Sequence, residues 1–153
     1  MRIDRDAIVI LLADDDEDDR LLTADALRAA KVANELKIVR DGEELMDYLC
    51  HRGNYALPAA APRPGLILLD LNMPKKDGRE ALREIKADPE LRSIPVVILT
   101  TSRTEAEINR TYDLGANSFM AKPVTFESLV QAMAVITDYW FQIVELPSGA
   151  KNN

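Results

Sequence analysis

The chain has 153 residues, the length of one domain with a substantial buried core, so we expect no second catalytic or DNA-binding domain. Its 19 basic residues against 26 acidic residues give a formal net charge of −7, which argues against a nucleic acid as partner. No apolar run approaches the roughly 20 residues that span a bilayer, and the N-terminus lacks a signal-peptide core, so we expect a cytoplasmic protein without a membrane partner.

Short apolar runs alternate with longer helical patterns along the chain. This alternation indicates βαβ units and a parallel sheet, and therefore an α/β fold. The predicted strands are 8–13, 36–39, 66–69, 96–100 and 118–121. The predicted helices are 18–31, 43–52, 79–87, 104–114 and 125–146. The first, third and fourth strands are apolar throughout, as expected for central strands that helices cover on both faces.

The last two helices differ in their apolar surface. The fourth carries Ile108 and Tyr112 among polar residues, so it is predicted to be weakly anchored. The fifth is predicted to begin with Thr125 as its N-cap, and its apolar stripe continues past the length that the sheet requires. Between the second helix and the third strand, residues 53–65 are predicted to form a surface loop with extended stretches. Residues 148–153 are predicted to be a flexible tail.

Three aromatic residues, Tyr139, Trp140 and Phe141, lie on the overhanging part of the fifth helix. Together they exceed what the core of one domain readily uses. We therefore expect them to form the centre of an interface with another chain, where aromatic residues are enriched. The alternative is that the last turn of this helix folds back onto its own domain.

Six consecutive acids, residues 14–19, follow the first strand. Asp16 is predicted to be the N-cap of the first helix, and the acids after it are expected to be stabilised by the free N–H groups of that helix. Asp14 and Asp15 would face Asp70 across the sheet edge. Three carboxylates at one place are tolerated only with a cation or with raised pKa values. Oxygen ligands favour a hard ion, here Mg²⁺ or Mn²⁺.

Three further groups follow predicted strands. Asp70 ends the third apolar run, Thr100 ends the fourth, and Lys122 follows the fifth. The carboxyl ends of parallel strands meet at one edge, where open α/β sheets bind their ligands. A carboxylate beside Mg²⁺ is a competent nucleophile for phosphoryl transfer, so Asp70 is the candidate phosphoacceptor. Lys122 would lie beside the phosphate oxygens, and Thr100 could donate its hydroxyl to one of them.

These motifs resemble the receiver domain of the two-component response regulators over residues 8–136. The residues that carry the resemblance are Asp14-Asp15, Asp70-Leu71-Asn72-Met73-Pro74, Asp77-Gly78, Thr100-Thr101 and Lys122-Pro123. The resemblance implies a flavodoxin-like, doubly wound five-stranded parallel sheet in the order 2-1-3-4-5. It also implies that Asp70 accepts a phosphoryl group from a phosphohistidine on a partner histidine kinase.

The resemblance further assigns a metal site and a switch. The implied ligands of Mg²⁺ are Asp14, Asp15, Asp70 and the backbone carbonyl of Asn72. The implied switch pair is Thr100 and Phe119, and Lys122 is expected to contact the phosphate. Phe119 occupies a position where the family often has tyrosine, so a hydroxyl is absent from this switch.

The proline-containing loop before Asp70, the Thr100-Thr101-Ser102 step and the aromatic C-terminal segment resemble, more narrowly, the small single-domain regulators paired with bacterial phytochromes. This narrower resemblance implies a red-light sensor histidine kinase, a bacteriophytochrome, as the partner. It also implies a homodimer formed through the fourth helix, the fifth strand and the fifth helix.

The sequence thus predicts a stand-alone phosphoacceptor switch. One receiver domain would cover residues 1–147, with a core over about 8–138 and a helical extension over 139–147. Phosphorylation of Asp70 would draw Thr100 toward the phosphate, bury Phe119 and change affinity at the face of the fourth helix, fifth strand and fifth helix.

Two other functions are compatible with this fold. A phosphatase would use Asp70 as its nucleophile, but it would need a general acid two residues later, where Asn72 stands. We therefore expect only slow self-hydrolysis of a phosphoaspartate. The other alternative is a docking protein that keeps the fold as a scaffold and works without phosphorylation.

Overall fold

The computed structural model describes residues 8–100, 105–123 and 125–140. Five strands alternate with five helices in this part of the chain. The strands are β1 (Val9–Ala13), β2 (Leu36–Val39), β3 (Pro64–Leu69), β4 (Val96–Thr100) and β5 (Ser118–Ala121). The helices are α1 (Glu17–Ala29), α2 (Gly42–Cys50), α3 (Gly78–Ala87), α4 (Glu105–Asp113) and α5 (Phe126–Asp138).

The strands form one parallel sheet in the order β2-β1-β3-β4-β5. This confirms the predicted α/β fold, its flavodoxin-like topology and its strand order. Every residue of β1 and of β4 is buried, as expected for apolar strands covered on both faces. The carboxyl ends of all five strands lie at the same edge because the strands are parallel.

Alternating residues of the central strands face two separate core layers. Leu11, Ile67 and Ile98 point to the layer that contains apolar residues of α2 and α3. Leu12 and Leu68 point to the layer that contains apolar residues of α1 and α5. Burial of both layers fixes the register of each strand, since a shift by one residue would exchange the two faces.

Short polar side chains cap the starts of the helices. The Asp16 carboxylate accepts hydrogen bonds from the N–H groups of Asp18 and Asp19, and the Thr125 hydroxyl accepts one from the N–H of Ser128. Both predicted N-caps are therefore confirmed. These caps set where α1 and α5 begin relative to the strand edge.

The segment before β3 differs from the predicted surface loop with extended stretches. It contains two short 3₁₀ turns, Gly53–Tyr55 and Pro58–Ala60, and β3 already begins at Pro64. The rings of Tyr48 and Tyr55 contact each other with centroids 5.1 Å apart. The Tyr48 hydroxyl donates to the carbonyl of Pro62 at 2.8 Å. These long-range contacts compact the segment, and residue preferences read locally did not reveal them.

The predicted C-terminal extension is described only in part. α5 ends at Asp138, and Tyr139 keeps helical backbone angles, with φ −60° and ψ −51°. Phe141 and the rest of the extension predicted over 139–147 lie outside the described residues, as does the predicted tail. Across the described helices, none is both long enough and apolar enough to cross a membrane.

Candidate functional site

The predicted site residues meet at the carboxyl edge of the sheet. Asp14 follows β1, Asp70 follows β3, Thr100 ends β4 and Lys122 follows β5. The N–H of Asp70 donates to the carbonyl of Ala13 at 2.9 Å, which ties the ends of β3 and β1 together. Adjacent parallel strands therefore position these four side chains at one place.

Three carboxylates form a compact acidic cluster at this edge. Asp14, Asp15 and Asp70 each offer an oxygen, and these oxygens lie within 4.8 Å of one another. Asp14 and Asp70 are only 2% and 6% exposed, whereas Asp15 is exposed. Oxygen-only donors at this spacing match the preference of a hard divalent cation such as Mg²⁺ or Mn²⁺. The exposed side at Asp15 leaves room for water or a phosphate to reach such an ion.

Lys122 is the cation that faces this cluster in the described structure. Its Nζ donates to Asp14 Oδ2 at 3.0 Å, to Asp19 Oδ2 at 2.8 Å and to Asp70 Oδ2 at 3.3 Å. Burial alone would lower the pKa of the Lys122 ammonium. The hydrogen bonds to Asp19 and Asp14, together with the negative charge of Asp70, outweigh that effect and raise the pKa above its ordinary value. Lys122 is thus held protonated.

The environment of Asp70 disfavours its charge. Burial raises the pKa of Asp70 to about 6, and the Asp14 carboxylate acts in the same direction. The Lys122 ammonium and the N–H of Asn72 act in the opposite direction. Because a carboxylate with this pKa is mostly ionised at pH 7, Asp70 remains able to act as a nucleophile.

Asn72 connects Asp70 to Thr100. Its N–H donates to Asp70 Oδ1 at 3.2 Å, and its side-chain amide donates to Thr100 Oγ1 at 3.3 Å. Thr100 itself is fully buried. The metal-ligand role predicted for the Asn72 carbonyl is not tested by these contacts and stays a prediction.

Phe119 lies one strand further from Asp70 than Thr100 does. It pairs with Ile98 in the β4–β5 ladder, is half-buried and packs against the core layer of α2 and α3. Its N–H donates to the hydroxyl of Tyr112 on α4 at 3.1 Å. The predicted switch position is thereby linked to α4 by a residue that the sequence pattern did not single out for this role.

Tyr139 and Trp140, two of the three aromatic residues predicted to form an interface, differ in how far they are buried. The rings of Tyr139 and Trp140 meet edge to face with centroids 5.2 Å apart. Trp140 packs partly against the core layer of α1 and α5, whereas Tyr139 is 47% exposed. The described part of the helix thus places one ring against its own domain and leaves the other accessible.

Two residues of the site were missed in the sequence. Asp19 was expected only to stabilise the start of α1, but it also contacts Lys122. Arg20 donates from Nη1 to the carbonyl of Asp14 at 3.0 Å. Side chains in a helix tilt toward its N-terminus. The first turn of a helix that starts beside the strand edge therefore directs side chains back to the site, a signal that could have identified both.

Comparisons with known proteins agree with this geometry. The family model of the response regulator receiver domain matches residues 10–134. Response regulator Rcp1 of Synechocystis sp. is 43% identical over 141 residues, which cover 92% of this chain and 94% of Rcp1.

Solved structures give the same result. The phosphorylated cyanobacterial phytochrome response regulator RcpA superposes with a TM-score of 0.85 at 46% identity, over 93% of this chain and 99% of RcpA. The Mn²⁺-bound form of Rcp1 superposes with a TM-score of 0.82 at 42% identity, over 92% and 99% of the two chains.

The match covers most of the chain, and the cluster of three acids could hold the divalent metal ion that receiver domains bind. Family, sheet order and acidic cluster agree. The chain therefore belongs to the response regulator receiver domains, a family of signalling switches, and is related to the phytochrome response regulators.

Proposed function

We propose that this chain is a stand-alone switch in which Asp70 accepts a phosphoryl group from a histidine kinase. The observation that carries the proposal is the convergence of Asp14, Asp15 and Asp70 with Lys122 at one sheet edge. A cluster of acids beside a protonated lysine suits the transfer of a phosphoryl group, where catalysis consists mainly of positioning and charge neutralisation.

In the proposed reaction, an oxygen of the Asp70 carboxylate attacks the phosphorus of a phosphohistidine. The new O–P bond forms as the P–N bond breaks, and the histidine imidazole leaves. The product on this chain is an acyl phosphate. Lys122 would donate hydrogen bonds to the phosphoryl oxygens, and the Thr100 hydroxyl would move to donate another.

Mg²⁺ or Mn²⁺ would be held by Asp14, Asp15, Asp70 and the Asn72 carbonyl, and it would neutralise the charge that develops on the phosphoryl oxygens. The three acids support this assignment, because they bring carboxylate oxygens together and two of the three are buried. The Mn²⁺-bound form of the related Rcp1 gives further support.

The proposed output is a rearrangement around α4, β5 and α5. Movement of Thr100 toward the phosphate would open space into which Phe119 packs more deeply, and β5 would pull on α4 through Tyr112. Phe119 has no hydroxyl, so its deeper position would be held by apolar packing alone. Binding at this face would then report the state of Asp70.

We propose a phytochrome-type sensor histidine kinase as the partner. The support is the relation to the phytochrome response regulators Rcp1 and RcpA. Further support comes from Leu21 and Leu22 on α1, which are 58% and 45% exposed. Exposed apolar side chains on one helix suit docking against a helical partner.

The output surface would also carry a homodimer. Val135 on α5 and Tyr139, directly after its end, are 66% and 47% exposed, so apolar surface is available there. We propose that Tyr139, Trp140 and Phe141 contribute the aromatic centre of this interface, with α4 and β5 beside it.

Phosphorylation with a small donor tests the central proposal. The protein is incubated with acetyl phosphate, with and without Mg²⁺, and its intact mass is compared with that of Asp70→Asn. We expect a Mg²⁺-dependent gain of one phosphoryl group in the natural chain and none in the variant. No gain in the natural chain, and no binding of beryllofluoride, would contradict the proposal and favour a docking protein that works without phosphorylation.

A further inference from the structure

The Lys122 ammonium contacts three carboxylates, and one of them, Asp19, lies outside the acidic cluster. Asp19 gives the shortest of the three contacts, 2.8 Å from Nζ to Oδ2, against 3.0 Å for Asp14 and 3.3 Å for Asp70. Asp19 is not among the three acids grouped as a possible metal site. An ammonium has three N–H donors, so each carboxylate can accept one of them.

Hydrogen bonds of the backbone N–H groups hold the main chain in place at both members of the Asp19–Lys122 pair. The N–H of Asp19 donates to the capping carboxylate of Asp16 at 3.2 Å, which sets its place in the first turn of α1. The N–H of Lys122 donates to the carbonyl of Thr100 at 2.9 Å, which sets its place after β5. The Asp19–Lys122 ion pair therefore bridges the first turn of α1 and the end of β5.

A divalent cation and the Lys122 ammonium compete for the same oxygens. Both are positive; Lys122 contacts the carboxylates of Asp14 and Asp70, and a cation in the cluster would use the same two carboxylates. A cation in the cluster would weaken these two contacts of the ammonium and repel it. Asp19 is the one described partner of Lys122 that such a cation would leave unchanged.

We propose that Asp19 is a positioning residue that holds Lys122 at the site while the metal is bound. One N–H of the ammonium stays on Asp19, and the other two leave Asp14 and Asp70 and point to the oxygens of the incoming phosphoryl group. This inference rests on the proposed function, because it concerns the same phosphoryl transfer. Its mechanism is the orientation of Lys122, not contact between Asp19 and the reacting atoms.

A purely helical role for Asp19 makes a different prediction. Any acid in the first turn of α1 is favoured by the helix dipole. Asp18 has this same role, is exposed, and is not among the described ion-pair partners of Lys122. Asp18→Asn is therefore the matched control, since it removes one charge from the same turn without removing a partner of Lys122.

The first measurement is the rate of phosphorylation by phosphoramidate at saturating Mg²⁺. We expect Asp19→Asn to slow it roughly tenfold, as the loss of a charge-assisted hydrogen bond predicts. Asp18→Asn should stay within about twofold of the natural chain. Asp19→Asn should have no further effect when Lys122 is already replaced by Met. Equal slowing by both asparagine variants, or an undiminished effect in the Lys122→Met background, would overturn the proposal.

The second measurement observes Lys122 directly. In protein labelled with ¹⁵N-lysine, we expect the side-chain ammonium signal of Lys122 to shift in Asp19→Asn, both without metal and with Mg²⁺ bound. The signal should stay in place in Asp18→Asn. An unchanged Lys122 signal in Asp19→Asn with Mg²⁺ would overturn the proposal.

The two measurements separate this inference from the proposed function. If the natural chain takes up no phosphoryl group, the proposed function fails, while the Lys122 signal still decides whether Asp19 holds the ammonium in the Mg²⁺-loaded protein. If the natural chain is phosphorylated and Asp19→Asn behaves like Asp18→Asn, the proposed function stands and only the role of Asp19 is rejected.

Discussion

Asp14 and Asp70 are both buried, and they lie close enough to share the ammonium of Lys122. Two buried carboxylates at this separation are electrostatically unfavourable when no metal ion is bound. Lys122 offsets part of this cost, but burial still raises the pKa of Asp70 to about 6. One pKa unit corresponds to about 1.4 kcal/mol, so the shift costs on the order of 3 kcal/mol of stability at neutral pH. The reactive carboxylate of Asp70 thus lowers the free energy of unfolding of the protein.

This cost predicts that Asp70→Asn stabilises the metal-free protein. In EDTA at pH 7.5, we expect its free energy of unfolding to exceed that of the natural chain by about 3 kcal/mol, because the amide carries no charge. Asp18→Asn, which removes an exposed charge, should not increase stability. Urea unfolding of the three proteins measures the difference. A less stable Asp70→Asn would contradict the argument.

The pH dependence of that difference follows from the direction of the shift. The folded-state pKa of Asp70 lies above its ordinary value of 3.8, so its contribution is absent below that value, grows more unfavourable as pH rises from 3.8 to about 6, and stays constant above that. The stability advantage of Asp70→Asn should therefore shrink as pH falls from 7.5 toward 4.

Metal binding should change the order of stability. Saturating Mg²⁺ at pH 7.5 should make the natural chain more stable than Asp70→Asn, because a metal that binds only the folded natural chain stabilises it.

At the scale of elements, the loop after β3 is packed tightly against the start of α3. A Cβ added to Gly78 would lie 2.4 Å from the carbonyl oxygen of Asp70 and 2.7 Å from the Cα of Leu71. Both are backbone atoms, so they cannot move away as a flexible side chain would. Gly78 therefore lets α3 approach the phosphoacceptor position closely.

Gly78→Ala should lower the free energy of unfolding by about 1–3 kcal/mol, the range typical of overpacking. It should also slow phosphorylation by acetyl phosphate, because the backbone of Asp70 must shift. Urea unfolding and intact mass over time measure the two effects. Gly65→Ala is the comparison, since its Cβ would meet the side chain of Ile8 and not backbone atoms. Unchanged stability in Gly78→Ala would reject the close-packing argument.

A second element-scale link joins α4 to β5. The hydroxyl of Tyr112 accepts the N–H of Phe119, although the ring of Tyr112 is 46% exposed. Tyr112→Phe removes the acceptor and keeps the ring. We expect hydrogen exchange of the Phe119 amide to accelerate roughly fivefold, with little change in global stability. NMR exchange rates measure this, and Tyr139→Phe is the control. An unchanged exchange rate at Phe119 would show that this hydrogen bond does not stabilise the contact between α4 and β5.

The bounds of an element could be predicted from the sequence where the interactions that set them join residues close together in the chain. The N-caps Asp16 and Thr125 act within three residues, so the starts of α1 and α5 were predicted to within a residue. The segment before β3 was predicted as a surface loop with extended stretches, and its 3₁₀ turns and the early start of β3 were missed. The contact of Tyr55 with Tyr48 and the pairing of Pro64 with Val9 contribute to its shape. Such contacts join parts of the chain that only the fold brings together.

At the scale of the whole molecule, one topological rule accounts for most of the candidate site. The parallel order of the sheet brings the ends of β1, β3 and β5 to one edge, and so Asp14, Asp70 and Lys122 could be grouped from the sequence. Asp19 could not be grouped in this way, because its place follows from how α1 is oriented above the sheet. Tyr112 was missed for a different reason: its partner is the backbone N–H of Phe119, which no residue type in the sequence indicates.

The surroundings of the C-terminal aromatic residues allow the proposed dimer to be separated from the stability of the domain. Tyr139→Ala removes an exposed ring and should lower the average mass in light scattering, with a loss of stability below about 1 kcal/mol. Trp140→Ala should lower the average mass too, and it should in addition lower the free energy of unfolding by about 1–2 kcal/mol, because its ring packs partly on the domain core. Leu57→Ala, at a side chain 75% exposed outside α4, β5 and α5, should change neither quantity. If Tyr139→Ala keeps the mass of the natural chain at every concentration, the exposed ring has no part in self-association, and Trp140 is then explained by packing within its own domain.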